Sequence, residues 1–130
     1  MGASDFIMEA TAGWMTPALF IAMTFIIGAV MAFFTGSSWG TFAICIPLAV
    51  PMAYSFTGGE LGILVYAAVG AVVSGGLFGD HCSPVSDTTV LSSLGAACDH
   101  IDHVKTQLPF AFLSAAISVI IWIIIATVAA

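Results

Sequence analysis

The chain has 130 residues and a formal net charge of −6; 61% of its residues are hydrophobic and only 6% are charged. Because a soluble domain carries about 25% charged residues to cover its surface, this composition excludes that class and predicts an all-α membrane protein. Seven acidic residues against a single Lys leave no basic patch, which excludes nucleic acid as a partner.

Three long stretches contain no Asp, Glu, Lys or Arg: residues 10–59, 61–79 and 106–130. A crossing needs about 20 mostly apolar residues to match a hydrocarbon core of roughly 30 Å, so the chain has room for three or four crossings. We therefore expect a polytopic helix bundle in the lipid bilayer of the cell membrane. The opening residues lack the basic segment of a signal peptide, and we interpret them as an acidic interfacial segment or as a start inside a longer chain.

The first predicted element is a helical hairpin over residues 17–54 that is broken at residues 35–41. Pro17 suits the start of a helix, where its missing N–H does no harm. The break contains Gly36, Gly40 and several hydroxyl side chains, a composition that is typical of a helix interruption.

The apolar run after this break, residues 42–54, contains Pro47 and Pro51. As a helix it would rise only about 20 Å, which is too short to span a membrane alone. Two arrangements fit: a re-entrant hairpin with its tip in the break, or a discontinuous helix pair. Both place backbone at membrane depth, which is tolerated only where protein or a wet cavity covers it.

The second predicted element is a helix over residues 61–98 that is broken at residues 79–83. Ser83 followed by Pro84 is typical of a helix start, with Ser as N-cap and Pro at the first helical position. Residues 79–82 are therefore expected to be extended backbone that joins two half-helices.

The last third of the chain divides into a polar and an apolar segment. Residues 99–107 are the most polar and are predicted to form a loop at the water interface. Residues 108–130 carry no charge and are predicted to form a transmembrane helix. Lys105, the single basic residue, weakly places the loop in the cytoplasm.

Two acidic residues, Asp80 and Asp87, fall within a predicted crossing, where an ionisable side chain costs at least ~2.5–3.5 kcal/mol and usually serves a purpose. Carboxylate, hydroxyl and freed carbonyl oxygens are the ligands that a hard cation prefers. The first half of a broken helix ends in carbonyls that attract a cation. Since a desolvated carboxylate can also carry a proton, one such site can hold either a cation or protons.

Each of these residues also has a plainer interpretation. Asp80 can lie in an interfacial loop, and Asp87 can be a first-turn acid that the helix dipole favours. The neighbouring hydroxyls can serve as helix contacts. His81 is either a pH sensor or a hydrogen-bonding neighbour. His100 and His103, which match no strong metal pattern with Cys98, are interpreted as solvated loop residues.

Three polar strings resemble those of the NhaC-type sodium/proton antiporters. They are GDHCSPVSDTT at residues 79–89, CDHIDHVKTQLP at residues 98–109 and TGSSWGTF at residues 35–42. The strings occur in the order and at the spacing of that family, and the similarity extends over most of the chain from about Pro17 onward.

The resemblance implies a secondary transporter within a wider group of ion transporters that have inverted repeats, re-entrant hairpins and broken helices. It implies sodium and protons as the transported species, with no cofactor and no metal beyond sodium. The residues that match the family's strings would line the cation and proton site: Asp80, Ser83, Ser86, Asp87 and Thr88 from one break, and Ser37, Ser38 and Thr41 from the other. Because family members are several times longer, we expect a C-terminal fragment that is partnered by the remaining half of its parent transporter.

Three functional hypotheses follow from the residues and the resemblance. The first is sodium/proton antiport at the acidic broken helix. The second is sodium-coupled exchange of small carboxylates of the malate/lactate type, held at helix N-termini at Pro84 and near Phe42. The third is a non-transporting subunit that packs against partner helices, which predicts that Asp80 and Asp87 lie in a water-facing loop. An enzyme is not expected, because the sequence contains no nucleophile–base pairing.

Overall fold

The computed structural model describes Phe6, Glu9, Ala10 and residues 13–129; the segment interpreted above as interfacial, residues 1–5, and Ala130 lie outside the described residues. Residues 13–129 form five helices and no strand: α1 Pro17–Thr35, α2 Ser38–Phe56, α3 Ile63–Cys82, α4 Asp87–Gly95 and α5 His100–Ala129. Helices α1, α2, α3 and α5 are long and apolar enough to cross a membrane. The prediction of an all-α, multi-pass membrane protein is confirmed.

Helix α1 begins where the sequence predicts. Thr16 is its N-cap and accepts a hydrogen bond from the Leu19 N–H at 3.3 Å, and Pro17 occupies the first turn. The helix ends at Gly36, which has a φ of 65° and donates its N–H to the Ala32 carbonyl at 2.8 Å. Because glycine adopts this left-handed conformation without a steric penalty, Gly36 ends α1.

Helix α2 begins earlier than the sequence predicts. Ser37 is its N-cap, and its Oγ accepts a backbone N–H of the first turn at 3.2 Å. The break therefore consists of Gly36 and Ser37 alone, instead of residues 35–41, because the hydroxyl side chain starts a helix here. With 19 residues, α2 rises about 28 Å, so the expectation of a segment too short to span is wrong. Pro47 and Pro51 lie inside α2 and do not end it.

The break between α3 and α4 lies later than predicted. Helix α3 continues through Cys82, and the break covers residues 83–86 instead of residues 79–83. Ser83 does not cap the second helix. That role belongs to Ser86, whose Oγ accepts a backbone N–H of α4 at 3.3 Å. Residues 79–82, which were predicted to be extended, are helical, and Gly79 among them packs directly against α1.

Helix α5 begins inside the segment that was predicted to be a loop, residues 99–107. Asp99 caps it: its carboxylate accepts the N–H groups of Ile101 at 2.9 Å and Asp102 at 3.1 Å. The polar composition therefore reflects an exposed first part of a helix, and the loop prediction is wrong. The helix continues through Pro109 for 30 residues, which is about 45 Å and longer than a hydrocarbon core of roughly 30 Å.

Helices α1 and α3 run parallel and pack at very short range through glycines of α3. A Cβ atom at Gly75 would overlap the carbonyl oxygen of Phe25, and one at Gly79 would overlap that of Ala29. From α1, a Cβ atom at Gly28 would lie only 3.2 Å from a carbonyl oxygen of α3. The two backbones are therefore close enough that no larger residue fits between them.

Helices α2 and α5 run in the opposite direction. The rings of Phe20, near the start of α1, and Phe56, at the end of α2, have centroids 5.4 Å apart. The ring centroids of Phe112 in α5 and Phe78 in α3 are 5.5 Å apart. Further along α5, the Trp122 indole N–H donates to the hydroxyl of Ser74, one turn earlier in α3, at 2.8 Å. The ends of α1 and α3 and the starts of α2 and α5 therefore lie at one end of the bundle.

We expect Gly75→Ala to destabilise the bundle by about 1–3 kcal/mol, because overpacking a tight contact forces the backbones of α1 and α3 apart. Gly95→Ala is the matched control, since a Cβ atom there would meet no other atom within 4 Å. Thermal unfolding of the complete gene product in detergent measures both. Equal melting temperatures for the two variants would contradict the packing.

Candidate functional site

The two helix breaks of the chain contact each other. A Cβ atom at Gly36, in the break between α1 and α2, would lie 2.7 Å from the carbonyl oxygen of Val85, in the break between α3 and α4. Ser83, which is fully buried, donates its hydroxyl to the Phe33 carbonyl of α1 at 2.6 Å. That carbonyl belongs to the last turn of α1, where no helical N–H is available to it. The hydrogen bond therefore joins the break in one segment to the break in the other.

Asp80 lies in the last turn of α3, directly beside this junction, and only 7% of it is exposed. Three hydroxyls from two other helices and their caps donate to its carboxylate. Ser86 donates to Oδ1 at 2.7 Å, Thr88 to Oδ2 at 3.3 Å and Ser38 to Oδ2 at 3.4 Å. The structure therefore brings together four of the predicted site residues in one cluster.

No basic side chain balances the charge of this buried acid. The single basic residue, Lys105, pairs at 3.7 Å with Asp102 on the exposed part of α5. Two helices begin beside the carboxylate instead, since Ser38 is the first residue of α2 and Thr88 the second of α4. Helix N-termini favour negative charge, so they and the hydroxyls supply the favourable interactions that Asp80 has.

The hydroxyls around Asp80 can act in two ways. Each carries one proton to donate and two lone pairs to offer. The oxygens of Ser86 and Thr88 are 2.7 Å apart, so either hydroxyl can donate to the other in place of its hydrogen bond to Asp80. Rotated away from the carboxylate, the hydroxyls present lone pairs to a hard cation that the carboxylate itself binds. The cluster therefore has the chemistry to hold either a proton or a cation.

Two carbonyls at the end of α3, those of Asp80 and His81, already accept hydrogen bonds, whereas free carbonyls were expected there. The Asp80 carbonyl accepts the Ser83 N–H at 3.2 Å. The hydroxyl of Thr89 lies 3.4 Å from the same carbonyl and 3.2 Å from that of His81. Thr89 is buried and was missed as a site residue. Its position next to Thr88 in a hydroxyl-rich string was the available signal.

The other predicted site residues lie around the cluster without contacting the carboxylate. Ser37 caps α2, and Thr41 is buried with its hydroxyl donating to the Ser37 carbonyl at 3.0 Å. Ser83 faces α1, as described above. Asp87 is exposed at the first position of α4, and His81 is exposed at the end of α3.

Asp80 and Thr88 border two cavities. One has a volume of about 160 Å³ and lies towards the start of α2; it is also lined by Gly36, Ser37, Ser38, Trp39 and Asp87. The other is a cleft of about 590 Å³ between α3 and α5. Asp80, although buried, therefore takes part in the walls of both spaces.

His100 is a second residue whose role the sequence did not reveal. It was interpreted as solvated, but it is only partly exposed. Its Nε2 lies 2.7 Å from the Pro84 carbonyl, and its Nδ1 lies 3.2 Å from the hydroxyl of Ser93. A carbonyl only accepts, so Nε2 carries a proton, and His100 ties the break at Pro84 to α4. Among the described residues, no three His, Cys, Asp or Glu side chains come together in a way that could hold a metal ion.

The chain matches a known family and several curated relatives. Residues 1–127 match the family described as "Na+/H+ antiporter family". The malate-2H(+)/Na(+)-lactate antiporter of Bacillus subtilis is 35% identical over 109 residues, 84% of this chain and 22% of that protein. The Na(+)/H(+) antiporter NhaC of Alkalihalophilus pseudofirmus is 36% identical over 110 residues, 85% of this chain and 23% of that protein.

A third relative is named for a different transport activity. The arginine/ornithine antiporter ArcD of Halobacterium salinarum is 33% identical over 128 residues, 98% of this chain and 25% of that protein. The chain thus spans a quarter or less of the length of these three relatives. No solved structure matches it.

We expect Ser86→Ala to destabilise the fold by about 1–3 kcal/mol, because it removes both the cap of α4 and a buried hydrogen bond to Asp80. Ser92→Ala is the matched control on the same helix, since its exposed hydroxyl bonds only to the Thr88 carbonyl. Chemical unfolding of the complete gene product in detergent gives both values. If Ser86→Ala lowered the free energy of unfolding no more than Ser92→Ala does, the Ser86 hydroxyl would not stabilise the break between α3 and α4.

Proposed function

The chain belongs to the Na⁺/H⁺ antiporter family, and we propose that it supplies the ion-binding part of a secondary transporter that exchanges sodium for protons at Asp80. Family membership indicates a transporter rather than an enzyme. The observation that supports the proposal best is a buried carboxylate that is surrounded by hydroxyls and has no basic partner. Such an acid inside a membrane protein is costly unless it serves a purpose.

Exchange at this site would follow from competition for one carboxylate. When Asp80 is ionised, its two oxygens and the neighbouring hydroxyl oxygens of Ser38, Ser86 and Thr88 can replace part of the hydration shell of a sodium ion. Protonation removes the negative charge and one strong ligand, so the cation leaves. Because the carboxylate binds a sodium ion or a proton but not both, each species displaces the other, which is the basis of antiport.

The remaining predicted residues are assigned supporting roles in this proposal. Asp87 and Ser37 both line the smaller cavity, where an exposed acid raises the local concentration of cations. Thr41 and Ser83 hold the two breaks in position. His81 borders the larger cleft and is proposed as the pH-sensitive group there.

The rest of the transporter would complete the site. The chain spans a quarter or less of the relatives reported above, and the cluster around Asp80 is contributed by one end of a small bundle. We propose that the remaining part of the parent protein supplies further ligands for the cation and the second wall of the transport path.

A second candidate is sodium-coupled exchange of small carboxylates. Two helix N-termini converge at the site, at Ser38 and Asp87 instead of the predicted Phe42 and Pro84. When Asp80 is protonated, these N-termini are available to the carboxylate group of a substrate. A relative named as a malate-2H(+)/Na(+)-lactate antiporter supports this candidate.

The third hypothesis, a packing subunit without transport, expects both acids in a water-facing loop. Asp87 is exposed, but Asp80 is buried in a helix. Only Asp87 fits that expectation, so we do not adopt the hypothesis of a packing subunit.

We expect Asp80→Asn to abolish sodium-driven proton movement in vesicles that contain the complete gene product. The amide keeps the shape of the side chain, but it does not bind a proton near neutral pH and carries no negative charge to attract sodium. Asp87→Asn should weaken the apparent sodium affinity by only a few-fold, since an exposed charge is worth about 1 kcal/mol or less. Proton movement is followed with a pH-sensitive dye.

Asp102→Asn is the matched control, because that carboxylate is 73% exposed and far along the chain from the cluster. Exchange that persists in Asp80→Asn at the control rate would exclude the proposed site. Sodium-dependent uptake of lactate or malate, without exchange of sodium for protons alone, would favour the second candidate.

A further inference from the structure

The cleft between α3 and α5 has polar groups on both walls. Its volume of about 590 Å³ is large enough for many water molecules, each of which occupies about 30 Å³ in the liquid. One wall carries Asp80 and His81 of α3 with Thr88 of α4. The other wall is formed by a single face of α5, whose polar members are Gln107, Ser114 and Ser118.

This polar face of α5 is unusual for its helix. Spacings of seven and four residues place Gln107, Ser114 and Ser118 in one row, and the small residues Ala111 and Ala115 lie between them in the cleft. Most of the remaining surface of this part of α5 is apolar and exposed, as at Leu113, Ile117, Ile120, Ile121 and Ile124. The Ser114 and Ser118 hydroxyls donate to carbonyls one turn earlier in α5, at 3.0 Å and 2.9 Å, so their lone pairs are left to accept hydrogen bonds from water in the cleft.

Two buried polar atoms on this side of α5 have no partner among the described residues: Oε1 of Gln107 and Nε2 of His103. The two residues are four apart and therefore lie one turn from each other on the same face. A buried polar group without a hydrogen bond is unfavourable, and such groups are usually satisfied by another protein group or by ordered water. The row thus continues from the cleft towards the exposed first turns of α5, where Lys105 and Asp102 lie.

We propose that the cleft is a hydrated route by which protons reach the Asp80 carboxylate, with Gln107 and His103 holding the water molecules along its α5 wall. The proposal rests on the proposed function for the role of Asp80. In this route Gln107 is a positioning residue, since its amide orients water but does not itself titrate. His103 connects the row to the exposed start of α5.

The cleft and the cavity that contains Asp87 differ in the helices that line them. Asp80 and Thr88 border both spaces, whereas the Asp87 cavity includes no residue of α5. The cleft is not lined by Ser37 or Ser38, which both line the smaller cavity. The alternative occupant of the cleft is an apolar helix or lipid, which would leave its walls dry.

The first experiment measures hydration directly and does not depend on transport. Ser114→Cys and Ser118→Cys are introduced into the complete gene product together with Cys98→Ser, which removes the exposed native thiol; Cys45 and Cys82 are buried and stay. A charged methanethiosulfonate reagent reacts with thiolates, which form only in contact with water. The Cys98→Ser parent gives the background.

Leu113→Cys and Ile117→Cys, which neighbour the two serines on the apolar surface of the same helix, are the matched controls. We expect both cleft positions to react at least about tenfold faster than these controls, because the thiolate fraction falls sharply outside water. Equal, slow reaction at all four positions would show a dry cleft and would overturn the proposal, whatever the transport assay gives.

The second experiment tests the coupling to Asp80. Gln107→Leu should slow sodium-driven proton movement by about tenfold, since the water that the amide orders is lost while other waters keep part of the route. Exchange of labelled sodium for unlabelled sodium, which moves no proton, should stay unchanged. Gln107→Glu, which keeps a side-chain oxygen, should restore most of the proton rate.

Equal losses of both fluxes in Gln107→Leu would indicate a structural role and contradict the proposal, as would no loss in either flux. The outcome for the proposed function remains separate, because that function fails only if Asp80→Asn still exchanges sodium for protons. A wet cleft with an active Asp80→Asn protein would therefore leave the hydration finding in place and move the proton-binding group elsewhere.

Discussion

The structure of the site depends on one constraint: the Asp80 carboxylate is buried without a basic partner. The ionised form of a buried carboxylate needs dipoles to stabilise it where no Lys or Arg side chain pairs with it. Hydroxyls of Ser38, Ser86 and Thr88 supply those dipoles, together with the N-termini of α2 and α4. In the proposed exchange the hydroxyls can rotate when a cation or a proton binds, whereas an Arg or Lys side chain would compete with the cation for the carboxylate.

Close packing of α1 against α3 positions the groups of the site. Glycines at positions 75 and 79 let α3 approach the backbone of α1 so closely that Ser83 reaches a carbonyl in the last turn of α1. Gly36 then has to pass beside Val85, where even a methyl group would collide with backbone. The position of the hydroxyls around Asp80 is thus determined by contacts between main chains, which are less variable than contacts between flexible side chains.

The sequence predicts the class of fold well and the details of the breaks less well. Long uncharged runs and a start at Pro17 predict α1 and the membrane location correctly. The string from Ser83 to Pro84 has the composition of a helix start, yet tertiary contact decides otherwise: Ser83 bonds to α1, and Ser86 caps α4 instead. The polar composition around His100 predicts a loop. The structure shows instead that Asp99 caps a helix there, through a hydrogen bond that only the three-dimensional structure reveals. The meeting of Ser38 with Asp80, 42 positions apart, has no local signal at all.

The central claim is that sodium and a proton compete for Asp80. Proton release on sodium binding tests it most directly, with the complete gene product purified in detergent and held in weakly buffered solution at a pH where protons occupy the site. Addition of sodium chloride should release protons from the unaltered protein and none from Asp80→Asn, with choline chloride as the control for ionic strength. Equal proton release from both proteins would contradict the account.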